Sequence, residues 1–167
     1  MTQEHAEISL TLERLWQFSL QYYSVREVKQ ACLDLQNQFH GNVNLLLLLK
    51  WLDEQQVSFL EEDWHKVEEC LGRSEALLHS FRELRRKLKL QAPDTLYRES
   101  LQFELQLEKQ QQSDLVDCIN QLPLIKRSPS ELTLPSDEYS TSSLTQRYCR
   151  QLGGEHLYHA FSAPAPS

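Results

Sequence analysis

Apolar residues recur at helical spacing through most of the chain, and polar residues fill the positions between them. Leu12, Leu15, Trp16, Ser19, Leu20 and Tyr23 lie on one stripe and predict a first helix over residues 10–23. Ser24 and Glu27 stand at capping-box spacing, so a second helix should open there and bury Val28, Cys32, Leu35 and Phe39. His40-Gly41 ends it, with glycine suited to a left-handed position after a helix. Asn42 is a suitable cap for the next helix, which is expected to reach Gln55. In that helix the five leucines of VNLLLLLKWL cover every side, so other helices should surround it. The apolar run is too short to span a bilayer, which takes about 20 residues.

Ser58 and Glu61 suggest a second capping box, followed by a stripe of Leu60, Trp64, Val67 and Leu71 that ends at Gly72. Ser74 then starts a helix with Leu77, Phe81, Leu84 and Leu88 spaced four, three and four apart, ended before Pro93. Asp94 or Thr95 caps a longer helix to Leu122. Its seam of Leu101, Leu105, Glu108, Gln112, Leu115, Ile119 and Leu122 carries two polar members in the middle. A short coiled-coil arm and a helix packed on the core both fit that pattern. Past Pro123 the chain turns rich in Ser, Pro and Thr, a composition that buries too little apolar surface to offset its ordering entropy. One short helix, from Leu144 to Leu152, is expected within it, ended by Gly153-Gly154. The fold expected is all-α: a compact bundle of about five helices plus a longer C-terminal helix. An all-helical domain over residues 8–122 would be followed by a largely disordered tail over 123–167.

The 167 residues carry a net charge of −7, which argues against a nucleic-acid binder or a partner of anionic membranes. The acidic start MTQEHAEISLTLE lacks the basic and apolar regions of a signal peptide. Cys32, Cys70, Cys118 and Cys149 are scattered, as reduced thiols of a cytoplasmic protein would be.

LWQFSLQYY (15–23), ACLDLQNQFHGNVNLLLLLKWL (31–52) and FRELRRKLK (81–89) resemble an uncharacterised proteobacterial family of unknown function, DUF2390. Leu35, Gln36, Asn37, Gly41, Val43, Asn44, Leu45, Leu46, Leu47 and Trp51 carry the likeness, which covers residues 10–120. The resemblance implies an all-α protein of bacterial type and supplies no activity.

Candidate chemistry is sparse. Glu62-x-x-His65 has the spacing of one half of a di-iron site, but the second Glu-x-x-His is missing. His156 and His159 with Cys149 fall short of the four ligands of a structural zinc site. No nucleophile elbow, phosphate loop or dinucleotide fingerprint occurs, and no cofactor is implied. Two features remain. Arg82, Arg85, Arg86, Lys87 and Lys89 form a basic run that would either dock a partner or complement a helix C-terminus. Asn44, set among leucines, needs a hydrogen-bond partner, either on a neighbouring helix near Gln36 or in an apolar pocket lined by Trp16, Tyr22, Tyr23 and Trp51. The leading expectation is a helical module that binds another protein, through the basic run and the helix after Pro93. The alternative is a binder of, or enzyme acting on, a small apolar molecule beside residues 43–52. A cavity touching Asn44 would favour the alternative; a filled core and an exposed apolar stripe on residues 96–122 would favour the module. Composition and spacing leave the oligomeric state open.

Overall fold

A computed structural model describes residues 10–126 and 143–162. Seven α-helices occur among the described residues: α1 (Leu12–Tyr23), α2 (Arg26–Phe39), α3 (Val43–Glu54), α4 (Trp64–Gln91), α5 (Asp94–Asn120), α6 (Leu144–Leu152) and α7 (Tyr158–Phe161). Two three-residue strands, β1 (Val57–Phe59) and β2 (Leu124–Lys126), pair antiparallel with Ser58 opposite Ile125. The fold is all-helical apart from this ribbon.

Asn42 caps α3, its Oδ1 accepting from the Leu45 amide at 2.8 Å. Every residue from Asn44 to Leu52 is buried. Leu45, Leu46, Leu48, Leu49 and Leu52 have lost essentially all contact with water. Each contributes on the order of 1.5–3 kcal/mol by burial. The helix is walled in by α1, α2, α5, α6 and β1. Gly41 is required by packing: a Cβ there would stand 2.6 Å from Leu35 Cγ and 2.8 Å from Leu152 Cδ1. The left-handed residue after α2 is His40 (φ 56°), not the glycine.

Several local expectations give way to tertiary packing. Ser24 caps the end of α1, donating to the Gln21 carbonyl, and α2 begins after Val25 with no side-chain cap. Ser58 lies in β1, and a 3-10 turn at Glu61–Asp63 leads into α4. Gly72 does not break the helix. α4 runs unbroken for 28 residues and forms a long antiparallel hairpin with the 27 residues of α5. Cys70 Sγ donates to the Asp114 carbonyl at 3.2 Å, and Phe81 meets Phe103 with ring centroids 5.1 Å apart.

The chain beyond Pro123 also contributes to the core. Leu144, Thr145, Tyr148, Cys149, Leu157 and Phe161 are buried. The Asp53 carboxylate, at the end of α3, caps α6 by accepting from the Leu144 and Thr145 amides, both at 3.0 Å. Lys50, the one cation in the leucine helix, donates to the Phe161 carbonyl at 2.8 Å and pairs with Glu54 at 3.2 Å. Residues 143–162 therefore pack with the helical domain, unlike the tail expected there. The Ser/Pro-rich stretch at 127–142 and the terminus at 163–167 lie outside the described residues.

Burial pushes the thiols of Cys32 and Cys149 up to about 12, whereas Cys118 is only partly covered and rises to about 11. In the native protein iodoacetamide should label Cys118 well before Cys32 or Cys149, read by peptide mass spectrometry over time. Labelling of Cys149 as fast as Cys118 would show that α6 is not packed on the core.

Candidate functional site

The first candidate is the polar cluster at the start of α3. Asn44 is buried, and its Nδ2 donates to Gln111 Oε1 (2.9 Å) and to the Glu108 carbonyl (3.3 Å) on α5. Gln112 Nε2 donates back to Asn44 Oδ1 at 3.1 Å and to Ser19 Oγ at 3.0 Å. Gln111 also accepts from Asn42 Nδ2 at 3.0 Å and donates to Ser74 Oγ at 2.9 Å, while Asn42 further binds the Glu75 carboxylate. The Asn42 amide donates to Tyr148 Oη at 2.9 Å. One network thus joins α1, α3, α4, α5 and α6. Asn44 finds its partners on α5, while Gln36 lies half-buried on α2. Gln112 Oε1 alone in this network has no partner among the described residues.

The aromatic residues expected around Asn44 do not form a pocket with it. Tyr22 is buried, with its Oη donating to the Phe161 carbonyl at 3.4 Å. Tyr23 and Trp16 are half-buried, and the ammoniums of Lys29 and Lys109 lie over their rings. Trp51 lines a concavity, an open groove of about 550 Å³ between α1 and the end of α3. The other lining residues are Thr11, Glu13, Arg14, Gln17, Phe18, Gln21 and Gln55, so polar side chains outnumber the two aromatic ones and Asn44 is not among them.

The second candidate is the hairpin. Arg82 reaches Glu104 at 3.5 Å and Glu108 at 3.2 Å, and Arg85 pairs with Glu104. These two arginines are spent inside the α4–α5 interface. Arg86, Lys87 and Lys89 are exposed, with no ion pair among the described residues. Burial pushes the Glu108 carboxyl above its ordinary value, and the opposing pull of Arg82 is smaller.

What sequence reasoning missed is which face of α4 meets α5. The regular stripe of Leu77, Phe81, Leu84 and Leu88 enters the hairpin's interior only in part, with Phe81 and Leu88 half-buried and Phe81 resting on Phe103. Leu77 is 58% and Leu84 50% exposed, and Leu78, one position along, is the residue that is buried. On α5, Phe103 (50%) and Leu96 (45%) are open as well. The seam of α5 divides at its two polar members: Leu115 and Ile119 are buried, while Leu101 and Leu105 are exposed. The available signal was length, since two helices of nearly thirty residues outreach a twelve-residue central helix. No group of three or more His, Cys, Asp or Glu is placed to hold a metal among the described residues. His65 is exposed, and His156 packs its ring edge-on to Phe39.

A family model described as a protein of unknown function, DUF2390, matches residues 14–115. The chain belongs to the DUF2390 family. The matched stretch holds the leucine helix, the polar network apart from Tyr148, and the hairpin, so those are family territory, whereas β2, α6 and α7 lie beyond it. No curated protein and no solved structure matches this DUF2390 chain. No helix among the described residues is long and apolar enough to cross a membrane.

Asn44→Leu should cost about 1–3 kcal/mol in urea unfolding, because it leaves the amides of Gln111 and Gln112 buried without that partner. An equally stable variant would show that the network is dispensable.

Glu108 gives a pH signature. A carboxyl whose folded pKa is raised favours the folded state at low pH and loses that contribution as pH rises through the folded value. Glu108→Gln should therefore match or exceed the wild-type melting temperature at pH 7, with the difference vanishing below the ordinary carboxylate range. A variant markedly less stable at pH 7 would mean that the Arg82 pair outweighs desolvation.

Proposed function

We propose that this protein is a helical protein–protein interaction module acting in the cytoplasm, and that the α4–α5 hairpin is its binding element. The observation that carries this is the exposure of Leu77 and Leu84 on α4 and of Leu96 and Phe103 on α5, with Phe81 and Leu88 half-buried between them. An apolar patch of this kind on a water-facing helix pair marks an interaction site. Its four-three-four spacing is that of a helix-packing seam, so the partner it fits is a helix or helix pair with an apolar seam of its own. Charges of both signs flank the stripe, Arg73 and Lys87 on α4 and Glu99 and Asp117 on α5, which suits a helical protein partner better than a polyanion. Four unpaired cysteines and an acidic composition support the cytoplasmic location.

The alternative, a small apolar molecule held beside α3, has less support. Asn44 is engaged by α5, and the groove at Trp51 is open and does not reach Asn44.

Of the basic run, Arg86, Lys87 and Lys89 are the members that face solvent, because Arg82 and Arg85 are tied to Glu104. A photo-crosslinking residue placed at Leu84 in the native host should yield adducts that map to a helix-forming apolar segment of a polypeptide. Adding Leu77→Asp should abolish them with the melting temperature nearly unchanged. Adducts at Gln17 in the groove, with none at Leu84, would overturn the reading in favour of the small-ligand alternative.

A further inference from the structure

We propose that Cys70 and Cys118 form an oxidation site, at which a hydroperoxide joins the two thiols as a disulfide and ties α4 to α5 at the root of the hairpin. The inference stands apart from the reading of the hairpin as a binding element.

The antiparallel run of the two helices supplies the geometry. Cys70 Sγ donates to the Asp114 carbonyl of α5 at 3.2 Å, and Cys118 Sγ lies 3.8 Å from the Lys66 carbonyl of α4. Asp114 is one turn before Cys118, and Lys66 is one turn before Cys70. A helical side chain leans toward the start of its own helix. Because α4 and α5 run in opposite directions, the two cysteine side chains lean toward each other across one turn. The Cys118 thiol hydrogen-bonds to the Cys70 sulfur. Two sulfurs held in contact from separate helices are the starting arrangement for a disulfide.

Exposure sets this pair apart from the other two cysteines. Cys32 and Cys149 also lie near each other, but both are sealed from water. Cys118 is half-buried and Cys70 keeps 9% of its surface, so a small oxidant from solvent reaches Cys118 first. Asp63, which pairs with Lys66, lies near Cys118; Asp114 and Asp117 lie near Cys70, and Arg73 acts on both. Burial, then the neighbouring thiol and Asp63, push Cys118 up to about 11 against the pull of Arg73. Little thiolate is present at neutral pH, so the pair answers to sustained oxidant and not to traces.

The Cys118 thiolate attacks one oxygen of the peroxide, the O–O bond breaks, and the other oxygen takes a proton and leaves as water or an alcohol. The sulfur is left as a sulfenic acid. The Cys70 sulfur then attacks it, the S–O bond breaks, and the oxygen leaves as water with the Cys70 proton. The two thiols give up two electrons in all, and the peroxide takes them.

Hydrogen peroxide added to the native full chain tests this, with remaining thiols then blocked and the peptides read by mass spectrometry. One disulfide-linked pair within the chain, Cys70 with Cys118, should appear and should vanish on adding dithiothreitol. Its rate of formation should rise about tenfold per pH unit between about pH 7 and 9, following the thiolate fraction. The oxidised chain should stay helical and melt at a higher temperature than the reduced one, since the bond closes a loop that holds the outer hairpin. In Cys70→Ser no disulfide should form, and the sulfenic acid of Cys118 should persist and be trapped by dimedone. Absence of the Cys70–Cys118 pair from the oxidised native chain overturns the proposal. So does its appearance only after urea has unfolded the chain, or an equal yield of a Cys32–Cys149 bond.

Discussion

Leu45, Leu46, Leu48, Leu49 and Leu52 point in different directions around α3, and each is sealed from water. A helix apolar on one side needs one neighbour, but a helix apolar on all sides must be enclosed. That constraint organises the rest of the fold. α1, α2 and α5 supply three walls, β1 closes part of the C-terminal end, and the remaining side falls to α6, which arrives from far along the chain. Lys50 and Asp53 lie on the side turned to the late elements, one holding the Phe161 carbonyl and the other the start of α6.

Enclosure by leucines alone would leave register and neighbour identity loosely specified, since many apolar packings are close in energy. The polar network at the head of α3 removes that freedom. Asn42 and Asn44 project toward α5, and their amides are satisfied only when Gln111 and Gln112 stand at one height. Buried amides are costly when unpaired, so a slip of one turn in α5 would break several bonds at once. The network also fixes where α5 leaves the body, and hence how far the hairpin extends beyond it. Arg82, Arg85, Glu104 and Glu108 then hold the hairpin's two helices together with charge in place of leucines.

This substitution leaves part of the apolar stripe on the outside. Because Leu78 and the ion-paired Arg82 and Arg85 occupy the inner line of α4, Leu77 and Leu84 turn outward. A protein that required only a stable hairpin could have placed them inside. Their exposure leaves an apolar surface on the outside of the hairpin, with charges of both signs beside it.

The sequence by itself determined the all-helical class, the position and cap of the leucine helix, the end of α4 before Pro93 and the short helix at 144–152. Those features follow from local rules: spacing of apolar residues, an asparagine at an N-terminus, proline and glycine at ends. Tertiary structure decided the rest. Gly72 stays helical because α5 supports α4 along its length, at a cost that propensity alone puts at about 1 kcal/mol. Val57–Phe59 becomes a strand only because Leu124–Lys126 lies alongside it. Residues 143–162 are ordered by Asp53 and Lys50, distant in sequence and invisible to composition. Which side of α4 faces inward was beyond local reading as well. Two stripes one position apart, at Leu77 and at Leu78, both have helical period, and only the partners on α5 choose between them.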